Sequence, residues 1–218
     1  MATRSALHAV AEQVMAGARY RAEGRIGLHV TSGGFATPPF GSLGRILAVD
    51  DVWFTVTDAG RTRRLPLATT LDELAAAAGT TPGAPDSYPA ETKIAPGQPL
   101  AIDEPTLRRL TAWQALGDEA LRAAAAQLGA ADVLPPTLWP EHFDVGVRIV
   151  ALNLGVSLGD SSVASPYLYV GPDARPLPDD GFWNAPFGAA RTWDAISTVD
   201  DAVAFFLEGQ ARASALPA

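Results

Sequence analysis

The sequence predicts an α+β fold built on an antiparallel sheet packed by helices. Three observations carry this. Helical and strand-forming segments are segregated along the chain instead of alternating, which argues against βαβ units and a parallel sheet. Short turn signals separate the strand segments, so they read as a meander in the first half and a hairpin in the second. Finally, 48% of the 218 residues are apolar, enough to bury a substantial core and too many for a disordered chain.

Taken in order, Ser5 is the expected cap of a first helix, in which Leu7, Val10, Ala11, Val14, Met15 and Ala18 recur at helical spacing and Gly24 supplies the stop. "RIGLHVT" then alternates, with Ile26, Leu28 and Val30 on one side of a half-buried strand. The Gly and Pro content of Ser32–Ser42 predicts a loop carrying Phe35 and Phe40. "GRILAVDDVWFTVTDAGRTRRLPL" reads as a three-stranded meander with turns at Asp50-Asp51 and Asp58-Ala59-Gly60. Thr70 and Glu73 form a capping box ahead of a short helix that Gly79 ends.

The segment 81–103 is Pro-rich and aperiodic. It reads as a cover or linker, so the chain is either one α+β domain over 1–218 or is divided into 1–80 and 104–218. Asp103 caps the next helix, with Gly117-Asp118 expected to break it. "VGVRIVALNLG" reads as one mostly apolar strand paired with "SPYLYVGP", in which Tyr167 and Tyr169 share a face. An aromatic-bearing loop follows at Asp173–Ala190. A last helix runs from Thr198 to about Ala213, with Val203, Phe206, Leu207 and Gln210 on one stripe.

Composition excludes several chemistries. The chain has no cysteine, hence no disulfide, thiolate metal site, Fe–S cluster or cysteine nucleophile. A formal charge of −8 disfavours nucleic acid as a partner, and the one basic cluster, Arg61, Arg63 and Arg64, reads as a solvated strand face. No run reaches the roughly 18 apolar residues that cross a bilayer, and the N-terminal segment lacks the form of a signal peptide. The expectation is a soluble, cytoplasmic protein with no membrane partner.

The candidate chemistry gathers in "LWPEHFDVGVRIVALNLGVSLGD". In an extended segment His142 and Asp144 would face together, which suits an acid–base pair with the carboxylate fixing the imidazole tautomer. The same residues with Glu141 and Asp160 could ligate a divalent metal, the one cofactor these residue types suggest. Gly155 to Gly159 spells G-x-S-x-G, but "DSSVASP" follows where a nucleophile elbow needs a helix. No phosphate-binding glycine pattern occurs, and Lys93 is the sole lysine. His8 is expected on the surface of the first helix, and His29 on the sheet face opposite the buried residues. Aromatic walls for a ligand cavity are available from Trp139, Phe143, Tyr167, Tyr169, Phe182 and Trp183, with Glu141, His142 and Asn184 as polar contacts.

The segments "WPEHFD", "GVSLGD", "PYLYVGP" and "FWNAPFGA" resemble an uncharacterised family of actinobacterial proteins, over most of the chain from "LHAVAEQV" to "AFFLEG". The resemblance implies no activity, ligand or fold. The expected function is binding of a small molecule in an aromatic-lined pocket. The alternatives are an enzyme using His/Asp or metal-assisted chemistry at that site, and a structural or interaction protein without a ligand.

Overall fold

A computed structural model describes residues 2–130, 133–149, 151–173 and 176–216. The fold is α+β, with two five-stranded antiparallel sheets and helices. The chain divides into two compact units: Met1–Ala112 with Leu138–Phe143, and Trp113–Thr137 with Asp144–Ala218. The Pro-rich segment 81–103, read from the sequence as a cover or linker, lies within the first unit.

In the first unit the opening helical run is α1 (Ala2–Ala9), a π-helical stretch (Val10–Ala16) and α2 (Gly17–Glu23). Ser5 lies inside α1 and does not cap it. Gly24 closes the run in the left-handed region at φ 70°, where a residue without Cβ carries no steric penalty. Every residue of the π stretch is buried, Glu12 and Gln13 included. A π turn bonds i→i+5, which releases carbonyls from the usual ladder, and Gln13 O is used in this way to accept Gly83 N–H at 2.9 Å.

The first sheet has the order β1 (His29–Thr31), β2 (Gly34–Ala36), β3 (Ile46–Asp50), β4 (Trp53–Asp58), β5 (Arg61–Pro66). The meander is as the sequence predicts. The loop expected at Ser32–Ser42 instead holds β2, because Gly33 and Gly34 let the chain reverse and pair Thr31 with Gly34. Phe35 then lies beside Val49, and Val49 beside Phe54. These three, with Leu47 and Val56, have no exposure. Burying each such side chain contributes roughly 1.5–3 kcal/mol. Thr70 and Glu73 make the capping box of α3 (Leu71–Ala77) as expected, and α3 packs on the π stretch.

Helix α4 (Glu104–Gln127) is continuous through Gly117-Asp118, where the sequence suggests a break. In the second unit the single strand expected from "VGVRIVALNLG" is two, β7 (Asp144–Ile149) and β8 (Leu152–Ser157), folded as a hairpin. The run holds no Gly, Pro or Asn at its centre, so nothing in it announces a turn; Val150 lies outside the described residues. The second sheet has the order β10 (Ala189–Thr192), β9 (Tyr167–Pro172), β8, β7, β6 (Thr137–Trp139). Its register sorts the faces. Val145, Val156 and Leu168 align across one face, as do Val147, Leu154 and Val170; Asp144, Ser157 and Tyr167 align across the other. Helix α5 (Val199–Ser214) packs on β9 and β8, burying Ala202, Val203, Phe205, Phe206 and Gly209, with Thr198 and Asp201 as its capping box. No helix among the described residues is long and apolar enough to cross a membrane.

Candidate functional site

The turn holding Glu141 and His142 is closed by Phe143 N–H donating to Trp139 O at 2.7 Å. Phe143 takes φ 55°, a left-handed conformation that interrupts the extended alternation on which a shared His142–Asp144 side depends. His142 is exposed and makes no hydrogen bond, ion pair or ring contact among the described residues. The acid–base pair read from the sequence is therefore not set up by local backbone geometry. No group of three or more His, Asp and Glu that could hold a metal occurs among the described residues, so Glu141, His142, Asp144 and Asp160 do not assemble as a metal site there.

Phe143 turns inward instead. Its ring stacks on His8 at 5.2 Å and 6°, and meets Phe35 edge-on at 5.4 Å. His8, expected on the surface, is half-buried, and its Nε2–H donates to Pro140 O at 2.7 Å. Burial lowers its pKa from 6.5 against the opposing pull of that bond and of Glu12. A lowered value means that the unfolded chain takes up the proton first as pH falls. The contribution is complete above about pH 6.5 and is lost as pH drops through the folded value. Urea midpoints measured from pH 8 to 5 are expected to decline in the wild type and to decline less in His8→Gln. Parallel profiles would remove His8 as the source.

One helical turn after His8, the fully buried Glu12 accepts Glu91 N–H and Thr92 N–H, each at 2.9 Å, and the Thr92 hydroxyl. Gln13 Nε2 donates to Thr92 Oγ1 at 2.9 Å and Ile94 O at 3.2 Å. Arg21 donates to Thr80 Oγ1 and Thr81 O. These bonds strap the Pro-rich segment onto the helix. No local pattern in the sequence marks Glu12 as the fastener of this strap. The only available signal was a carboxylate set among apolar neighbours at helical spacing.

In the second unit Tyr169 and Tyr167 project from the same face of β9, as the sequence predicts, and each donates to a carboxylate at 2.5 Å: Tyr169 to Asp144 Oδ2, Tyr167 to Asp160 Oδ2. Tyr169 reaches across β8 because its partner there is Gly155; a Cβ at Gly155 would lie 2.3 Å from the phenol. Burial, and then the adjacent carboxylates, push both phenols well above their usual pKa. They are held protonated as donors and are not poised as bases. Asp160 also accepts Ser162 N–H and Val163 N–H, which makes it the pivot of a turn. Phe187 stacks on Tyr167 at 5.8 Å and meets Tyr169 edge-on at 6.2 Å. Ser157 of G-x-S-x-G is buried, its Oγ accepts Gly159 N–H at 3.0 Å, and no helix follows it, so it is no nucleophile elbow.

The chain between β9 and β10 carries Trp183 and Asn184; residues 174 and 175 lie outside the described residues. Asn184 is structural: its Nδ2 donates to Ala190 O and its Oδ1 accepts Ala190 N–H. Trp183 stands perpendicular to Phe182 at 4.8 Å. Phe182 is itself buried beside Phe205, with Arg212 over its ring at 4.7 Å. Trp183 lines an open cleft of about 620 Å³ with Pro176, Leu177, Pro178, Asp179, Ala185 and Pro186. Trp139, the other expected ring, is exposed to 40%.

Tyr167 and Tyr169 are committed to carboxylates, Trp183 faces a cleft, and Glu141 and His142 sit on a turn of the first unit. No family model, no curated protein and no solved structure matches this chain.

Proposed function

We propose that the protein binds a small, partly apolar molecule in the cleft of the β9–β10 connection. The observation that supports this reading is the wall of that cleft: a half-exposed indole braced edge-on by buried Phe182, together with three prolines and Leu177. Prolines are fixed in φ and lose little entropy on contact, so such a wall is preorganised for a flat apolar ligand. Asp179 is the charged group at its edge, and favours a ligand bearing a hydrogen-bond donor. Asn184, bonded twice to Ala190, holds the base of the loop and so supports Trp183 without contacting the ligand.

A thermal-shift screen against metabolites tests this, since a ligand that binds only the folded chain raises the melting temperature. Compounds with a planar apolar part should raise it, and Trp183→Ala should abolish the shift while Trp139→Ala retains it. Shifts that survive Trp183→Ala would place binding elsewhere.

A further inference from the structure

We infer that the ligand of the Trp183 cleft is an organic cation with a weakly hydrated charge, a methylated ammonium or a positively charged aromatic ring, held by the indole of Trp183 and the carboxylate of Asp179. The inference rests on the binding reading above and names the chemical class that this cleft selects. The walls are prolines, Leu177 and Ala185, whose side chains carry no hydrogen-bonding group. Among the described lining residues Asp179 is the one with a formal charge and Trp183 the one with a ring.

Both groups lack a cation of the protein's own. Asp179 is exposed and makes no hydrogen bond or ion pair among the described residues. Its neighbour Asp180 shows the contrast: it pairs with Arg212 at 2.9 Å, and Arg212 also takes Glu208 at 2.8 Å. Elsewhere the chain sets its arginines over rings, with Arg64 4.6 Å from Trp53, Arg191 5.6 Å from Phe205 and Arg212 4.7 Å from Phe182. No cation among the described residues stands over Trp183, whose ring contact is the perpendicular Phe182. Indole is the best of the aromatic rings for attracting a cation.

The lining selects the sign and the kind of charge. An anion would meet Asp179 with no lining cation to offset it, and a net charge of −8 draws cations toward the chain. A metal ion needs more oxygens than one carboxylate supplies, and no group of three His, Asp or Glu that could hold one exists among the described residues. A compact ammonium is strongly hydrated, and an open apolar wall returns nothing for the water it would lose. A methylated or aromatic cation gives up little hydration and lays its carbon surface on Leu177 and the prolines.

The test is an NMR titration of the full chain at low salt, read at the indole N–H of Trp183, which is identified among the five tryptophans by its loss in Trp183→Leu. The probes are N-methylpyridinium, benzyl alcohol and benzoate: a cation, a neutral molecule and an anion, each on one aromatic ring. N-methylpyridinium should bind the tightest of the three. Asp179→Asn should weaken it about twofold to fivefold, leave benzyl alcohol unchanged and strengthen benzoate. Added salt should weaken the cation in the wild type and leave benzyl alcohol unchanged. The substitution should not alter the melting temperature, because Asp179 is exposed and unpaired. Benzyl alcohol binding as tightly as the cation overturns the inference and leaves the cleft reading standing. So does a cation untouched by Asp179→Asn, which would show attraction to the overall charge of the chain. A Trp183 resonance that shifts with none of the probes overturns both.

Discussion

Gly117→Ala is expected to destabilise the protein by about 1–3 kcal/mol, although in a free helix the same change stabilises by about 1 kcal/mol. The reversal comes from the sheet beneath the helix. A Cβ at Gly117 would stand 2.4 Å from Val156 Cγ1 and 2.5 Å from its Cβ. Val156 sits within β8, between its partners Val145 and Leu168, and cannot give way. The helix would have to lift, and the surrounding contacts would open with it. Chemical denaturation with urea checks this through the midpoint at constant slope. An unchanged or raised midpoint would mean that α4 stands off the strand. Gly209 of α5 meets Val170 in the same way, with a Cβ distance of 2.7 Å to Cγ2.

Glu12→Ala carries the second large expected effect, a loss of about 2–4 kcal/mol. The substitution removes the acceptor of two main-chain N–H groups and of the Thr92 hydroxyl, in a side chain with no exposure. The loss should be local as well as global. The amides of Glu91 and Thr92 should exchange with solvent much faster in the variant, because among the described residues only Glu12 accepts from them. Glu12→Gln, which keeps one acceptor oxygen, should fall between the two. Amides that stay protected in Glu12→Ala would mean that Gln13 and Arg21 suffice to hold the strap.

The two variants mark opposite limits of what a sequence conveys. At Gly117 the residue was visible and its meaning was not. Glycine costs a helix about 1 kcal/mol, so a break was the local expectation, and only the approach of Val156 turns that cost into a requirement. At Glu12 the chain shows a carboxylate in an apolar stripe, but its partners are Glu91 and Thr92, about eighty positions away. No local pattern encodes a contact across that separation.

The candidate site divides along the same line. The alternation of "YLYV" put Tyr167 and Tyr169 on one face, because side-chain period along a strand is fixed by the backbone. The partnership of Tyr169 with Asp144 was not legible, since it depends on β7 and β8 being two strands and on Gly155 leaving room for the ring. The expected pairing of His142 with Asp144 assumed an extended chain between them, whereas Phe143 adopts a left-handed conformation to stack on His8.

By itself the sequence determined the α+β class, the meander of the first sheet, the capping box at Thr70 and the absence of thiol chemistry. These follow from backbone periodicity, short-range hydrogen bonding and residue inventory, each complete within a few positions. The tertiary structure alone decided that Gly117 continues a helix, that Glu12 fastens the Pro-rich strap, that His8 is half-buried, and that Trp183 lines a cleft while Tyr167 and Tyr169 are tied to carboxylates. Each of those outcomes depends on the space and partners that distant segments supply, which single-chain patterning does not carry.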